Sequence, residues 1–447
     1  AGSLALAAGI SINTIDTTTE AVIVHSGTSS KPLTAAKVEL KATAENSRIT
    51  GVGGGIAVGV SLMKKPDSKG SASTLAAGAS YVFNEINQDV YAKATETFWE
   101  SVGPVIVHAT SATDIHSLAI AGAVAVATGS KTSNKAFAGA GAVTVSTIRG
   151  EVSSRVADST IATTAAGGVV EVVANDKRAI TADAGGVAIA IAQGSDSKAS
   201  NTSVAIGAAI AFNTLEDCVV AATVTDSTIN AADAVTVTAT SELDVDALSL
   251  AGALAAAVSG GKGGTALAGA GAYSRNVIGL TLESSSRRTE HAGKSLLVSS
   301  VNTATVDAET YGVSIAVATA SDKGAGFSLS VGVSLAKNEI DVSQSSFTED
   351  CVVTTTDGAI AIRAENKSFI DAVSVAASIA AAYSESDGPA ALSGGGAEAK
   401  NRIGGTTNAY AARSTLKSAS NVTITATNKL SEINASVVAA SISAALS

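Results

Sequence analysis

Cysteine is nearly missing from these 447 residues, with Cys218 and Cys351 the only two. They fall in different slots of non-adjacent sequence copies, so no disulfide between them is expected and a disulfide-stapled scaffold is excluded. Aromatic residues make up 3% and charged residues 15% of the chain, against about 25% charged in an ordinary globular protein. A core of large side chains is therefore excluded. The apolar fraction of 46% is mostly Ala and Val, accompanied by 42 Gly, which suits sheets that approach closely over small residues. The low charge leaves little solvated surface per residue, as in a fold whose surfaces are stacked on something.

Basic stripes are missing as well. A net charge of −10 and a pI near 5.0 argue against a nucleic-acid partner. No uninterrupted apolar run reaches 18 residues, so a transmembrane helix is not indicated and no transmembrane segment is expected. The first residues read as part of a repeat and not as a signal peptide. The chain starts at Ala1 and stops at Ser447 inside copies of a repeat. Neither end reads as the polar cap that solenoids require, so the expectation is a piece of a longer polypeptide.

What is present is a repeat. The stretch SVAIGAAIAFNTL, residues 203–215, returns along the whole chain in altered spelling: small residues alternate with aliphatics, then come Asn, a variable residue and an aliphatic residue. The Asn positions are Asn13, Asn84, Asn213, Asn276, Asn338 and Asn401, with Ser146 in the third slot. Successive spacings are 71, 62, 67, 63, 62 and 63 residues. Such self-similarity marks a repeat architecture. The chain reads as one array over 1–447, in copies of about 3–70, 71–135, 136–201, 202–264, 265–326, 327–389 and a partial 390–447.

Each copy reads as four strand segments. In the fourth, segment a is SVAIGAAIAFN, b is DCVVAATVTDSTI, c is AVTVTAT and d is VDALSLAGALAAAVSG, strands by alternation and β-branching. Segment c keeps two aliphatic columns in every copy. One is Val38, Val105, Val170, Val235, Leu296, Ile360 and Val422; the next is Leu40, Val107, Val172, Val237, Val298, Ile362 and Ile424. The following column, on the opposite face, wanders through Lys41, His108, Val173, Thr238, Ser299, Arg363 and Thr425, as a half-buried sheet predicts. Segments d and a are apolar or tiny in both alternating sets, which predicts cover on both sides. One cover is expected from b and c, the other from further protein.

The polar, Gly-rich loops from d to a read as tips of antiparallel hairpins. If d pairs with a and b with c, each copy advances a stack by roughly 9.5 Å and the array forms a rod of about 60–65 Å; a two-coil parallel solenoid predicts the same rise. The recurring Asn reads as a turn former where a gives way to b, with a stacked side-chain ladder as the alternative. The fold class expected is all-β, a β-solenoid of repeats 62–71 residues long.

Chemistry-bearing patterns are sparse. His108 and His116 share a copy with Asp114, but a metal site needs three or four converging ligands, and solvent-facing positions are the plainer reading. The glycine-rich GKGGT and GVGGG stretches lack the strand–loop–helix with Lys-Ser/Thr of a phosphate loop. No catalytic, metal or cofactor group is expected, and no enzyme. Phe98 and Trp99 form the only large aromatic pair, a ligand candidate set against local packing.

The order small-aliphatic strand, Asn-x-Ile, β-branched strand, turn and V-x-V-x-A strand resembles the repeat arrays of giant bacterial filamentous adhesins and leukotoxin-like surface proteins, from Ser3 onward. The resemblance implies an extracellular or cell-surface stalk or filament body. An adhesive module binding glycans or host proteins through the loop edge is the other reading. The doubly apolar segments add an expectation of self-association.

Overall fold

The computed structural model describes residues 1–447 except 64–70, 130–132, 197, 322–323 and 386–387. Each copy is one coil of three strands: long, short, long. The first coil is β1 (Gly2–Val24), β2 (Leu33–Ala35) and β3 (Val38–Met63); the second is β4 (Ser73–Thr95), β5 (Phe98–Ser101) and β6 (Val105–Gly129). The third is β7 (Lys135–Ala157), β8 (Thr160–Thr163) and β9 (Val170–Gly194); the fourth is β10 (Ser200–Thr225), β11 (Thr228–Asn230) and β12 (Val235–Ser259). The fifth is β13 (Gly263–Arg287), β14 (Glu290–Gly293) and β15 (Leu296–Ala320); the sixth is β16 (Ala325–Glu349), β17 (Val352–Thr355) and β18 (Ile360–Ser384). The seventh is β19 (Ala390–Ala412), β20 (Thr415–Ser418) and β21 (Val422–Leu446).

Equivalent strands stack into three parallel seven-stranded sheets, a first long sheet from β1 to β19, a short one from β2 to β20 and a second long sheet from β3 to β21. The chain is an all-β solenoid, and the copies pair in the register that the Asn positions mark: Asn13 on Asn84, Asn84 on Ser146, and so on to Asn401. The predicted columns of segment c pair residue for residue, from Val38 on Val105 to Ile360 on Val422.

The division of each copy differs from the four-segment reading. Segments a and b run on as one strand, because the Asn points inward without turning the chain. Segments c and d also run on: in the presumed corner, Ser241 and Leu243 face inward while Glu242 and Asp244 face out. Segments d and a are not a hairpin. They lie in opposite long sheets, facing each other across the interior, and each bonds to the next coil. Of the d-to-a loops, residues 64–70, 130–132, 197, 322–323 and 386–387 lie outside the described residues. One coil per copy corrects the rise to about 4.8 Å and the stack to about 30 Å, while strands of some 25 residues run to about 80 Å.

The interior changes character along that length. Toward the short sheet it is aliphatic, with Ile86, Ile148, Leu215, Ile278 and Ile340 of the first long sheet and Val107, Val172, Val237 and Val298 of the second in one cluster. Beyond the Asn row the interior is almost only Ala, Gly and Ser, with clusters such as Ala138, Ala188, Ala205 and Ala255. Here backbone nearly touches backbone. A Cβ on Gly207 would stand 2.0 Å from the Gly252 carbonyl oxygen, and one on Gly186 2.0 Å from that of Ala208. This half is the blade of the molecule, and the aliphatic half its base.

Where the first long strand ends, each coil turns through a residue with left-handed backbone: His25, Glu96, Asp158, Asp226, Arg288, Asp350 and Arg413, at φ between 48° and 53°. None is Gly, and Asp, which tolerates that region better than most, takes three of the seven places. The column is also charged. Arg288 chelates Asp226 at 2.6 and 2.7 Å, Arg413 holds Asp350 at 2.7 and 3.0 Å, and His25 lies 2.7 Å from Glu96. The next residue is a hydroxyl that accepts from the coil before: Ser159 Oγ from Thr97 N and Ser227 Oγ from Ser159 N, both at 3.1 Å. Cys351 fills this slot in the sixth coil.

Candidate functional site

The residues singled out from the sequence are structural in different ways. The Asn row forms a ladder inside the molecule. Asn213 Nδ2 donates to Asn276 Oδ1, Asn276 to Asn338 and Asn338 to Asn401, each at 2.8 Å. Asn13 donates to Asn84 at 2.8 Å, Asn84 donates to Ser117 Oγ across the interior at 2.6 Å, and Ser117 meets Ser146 at 2.7 Å. The turn-forming reading is thereby corrected: the backbone is extended there, and the amide bonds along the stack. Its place is the boundary between aliphatic base and small-residue blade.

Trp99 is 1% exposed and pairs with Leu33 and Ile161 in the short sheet. It fills the base, so its reading as a ligand candidate is corrected. Phe98, beside it, points to the other side and is half-buried. His108 faces Glu171 at 3.3 Å, and burial pulls its pKa down. His116 lies 2.9 Å from Asp114, which Arg48 also holds at 2.6 Å. These are polar contacts on an outer face, with Arg48–Asp114 the ion pair among them. Among the described residues no group of three His, Cys, Asp or Glu could hold a metal ion.

Three buried groups escaped the sequence reading. Arg178 and Asp176, 1% and 0% exposed at their side chains, pair at 2.7 Å inside the base. Arg178 also donates to Cys218 Sγ at 3.0 Å and to the Gly150 carbonyl at 2.9 Å. Burial opposes the Arg178 charge, but Asp176 more than offsets it and the guanidinium pKa is raised. Burial pushes the Cys218 thiol up to about 11, so it stays protonated. His291 is buried too; its pKa falls to about 4 through burial, and its Nε2 meets Ser286 Oγ at 2.6 Å. In the sequence each looks like an ordinary outward polar residue, because only the inward phase of its strand exposes the anomaly.

The outer faces of the blade are the surface that stands out. On the first long sheet, four successive outward rows run across all seven strands. The row nearest the tip is Leu4, Leu75, Phe137, Val204, Leu267, Leu329 and Leu392; the fourth is Ile10, Tyr81, Val143, Ile210, Tyr273, Leu335 and Glu398. The two rows between hold Gly, Ala and aliphatics, and Glu398 is the one charge in the four rows. The second long sheet matches this, with Val58, Val124, Ile189, Leu254, Ile315, Ile379 and Ile442 forming one of four wholly apolar rows. Large residues here are open to solvent: Leu4 66%, Ile56 68%, Ile206 57%, Leu250 44%. Four rows across seven strands cover about 900 Å² per face, well above the few hundred Å² common on a monomer. The blade is thus inverted, with tiny residues inside and large apolar residues outside.

Charge borders the band on the base side. Glu85, Arg275, Lys337 and Lys400 lie on the first sheet, and Asp183, Asp246, Asp307 and Asp371 on the second. Asp246, Asp307 and Asp371 stand side by side on adjacent strands. Burial raises the pKa of Asp246 and Asp307, followed by repulsion from nearby carboxylates, Asp183 first for Asp246 and Asp246 first for Asp307.

No family model matches the chain, and no curated protein and no solved structure matches it.

Proposed function

We propose that the chain is a structural, non-catalytic segment of an extracellular β-solenoid, a filament or wall body that associates with further copies. One observation carries this reading. All seven coils share one register in all three sheets, and β1–β3 at one end and β19–β21 at the other present strand edges in that same register. Open parallel edges are templates for another strand, so a further coil continues every ladder at once. The resemblance to filamentous adhesin and leukotoxin-like repeat regions supports the surface setting. The test is light scattering and negative-stain electron microscopy over a concentration series. Fibres growing along the stack are expected, and Glu20→Pro and Ala435→Pro together, which remove donors that point away from β4 and β18 at the two open edges, should shorten them. A chain that stays monomeric at high concentration overturns the reading.

A further inference from the structure

The inverted blade poses a question that stacking end to end leaves open, because stacking covers strand edges and not sheet faces. We propose that the occupant of both faces is the hydrocarbon of a lipid bilayer, with the blade inserted tip first. Four features carry this. The apolar band has matching height on the two faces: four rows, or eight residues of strand, with Glu398 at the last strand of the first sheet the one charge in them, bordered by one or two partly apolar rows. That height is about 26–33 Å. The hydrocarbon core measures about 30 Å, a spanning strand needs about 9–11 residues and the apolar girdle of membrane barrels is about 25 Å tall.

The second feature is where the scarce aromatics go. Four of the six tyrosines lie at the borders of this band. Tyr81, Tyr273 and Tyr311 stand on its base side, joined by Phe83 and Phe212, and Tyr383 stands on its tip side with Phe137 and Phe327. Aromatic belts at both edges of an apolar band are the habit of membrane–water interfaces. Third, charge begins just outside the band, in the Arg275–Lys337–Lys400 row and the Asp246–Asp307–Asp371 row. Fourth, the interior explains itself. Ala, Gly and Ser let the two sheets satisfy each other by close contact, which leaves the larger apolar side chains for the outside, as in a protein whose solvent there is apolar.

A second copy lying face to face is the competing occupant. It covers one face of each blade and leaves the other bare, and it sets no reason for matched band heights or aromatic borders. The helix criterion is silent on this point: no helix of the described residues is long and apolar enough to cross a membrane, which says nothing of strands. The expectation of no transmembrane segment was drawn from helical runs. Open strand edges are not tolerated in hydrocarbon, so the inference rests on end-to-end stacking for the edges of the blade.

The experiment is flotation of the whole chain with vesicles of three parts phosphatidylcholine to one part phosphatidylglycerol, with fibre formation scored separately in lipid-free buffer. The chain is expected to float. Ile189→Lys, at the middle of the band, should lower vesicle partition by about thirtyfold or more, while Thr240→Lys on the outer face of the base leaves it unchanged. Circular dichroism confirms that each variant is folded. Ile189→Trp should be quenched by lipids brominated near the chain ends and Thr240→Trp should not, a depth reading that needs no loss of function. A chain that does not float, or an Ile189→Lys variant that floats like the parent, overturns the proposal. So does lipid-free face-to-face assembly lost in Ile189→Lys without flotation of the parent, which assigns the faces to a second copy. Flotation without lipid-free fibres would instead count against the stacking reading while leaving the insertion standing.

Discussion

The two halves of a coil use one backbone plan with opposite distributions of bulk. In the base, Ile and Val point inward and Thr, Lys and Glu point out, so ordinary burial of aliphatic area holds the sheets together. In the blade, the inward positions are Gly51, Gly53, Gly55 and Gly59, while Val52, Ile56, Val58, Val60 and Leu62 point out. There the sheets are held by close packing of backbone and methyl groups and by the ladders that run between coils. The lesson is that strand pairing along a stack can carry a region whose interior offers little apolar area, provided that nothing inside is too large.

The sharpest break of this contrast is therefore a larger side chain inside the blade. Gly207→Val should be the most damaging single change, costing about 5 kcal/mol, because its Cβ meets the Gly252 carbonyl at 2.0 Å and backbone cannot give way as a side chain does. In the base the equivalent blow is electrostatic. Arg178→Leu leaves Asp176 charged and dry, and should cost about 3–5 kcal/mol. Both are read from thermal or denaturant unfolding.

Acid should loosen the base through His291. Its folded pKa of about 4 lies below the ordinary 6.5, so the unfolded chain binds the proton first. Its contribution is full above pH 6.5, is lost as the pH falls toward 4, and amounts to about 3 kcal/mol. His291→Gln should flatten that part of the stability–pH curve. At the boundary, Asn276→Ala strands the Asn213 donor and the Asn338 acceptor and should cost about 2 kcal/mol, with Asn276→Ser milder because Ser146 already occupies an equivalent rung. The smallest effect belongs to the outside of the blade. Gly139 has nothing within 4 Å of a built Cβ, so Gly139→Ala should be neutral or stabilising by under about 1 kcal/mol. An equal loss at Gly139 and Gly207 would erase the distinction between the two sides of the blade.

The sequence shows these halves unequally. The columns of segment c were legible because aliphatic and polar residues alternate there, and Val38 to Val422 pair as that alternation predicts. The junctions were not, since Asn213 and the Ser241–Asp244 stretch have turn chemistry yet lie inside extended strands; what keeps them extended is pairing with the next coil, Asn213 on Asn276 and Ser241 on Asn302, which no local reading contains. The inverted blade was half legible. Both alternating sets are apolar, so hydrophobicity names no inner face, but size does: from Gly51 to Leu62 the tiny and the branched residues alternate strictly apart from Gly54. Cover on both sides was expected of d and a. The inner cover is the facing strand rather than the b and c segments, because only Gly and Ala fit at that separation. Trp99 packs locally, the plainer of the two readings that its sequence allows; its burial follows from the inward phase it shares with Leu33 and Ile161.

The length of the strands sets what growth of such an array achieves. Each added copy of 62 to 71 residues lifts the stack by about 4.8 Å, a distance that two extended residues could span. As a spacer this is poor use of chain. Each copy instead lays down another course some 80 Å broad, so lengthening the polypeptide yields acreage and not reach.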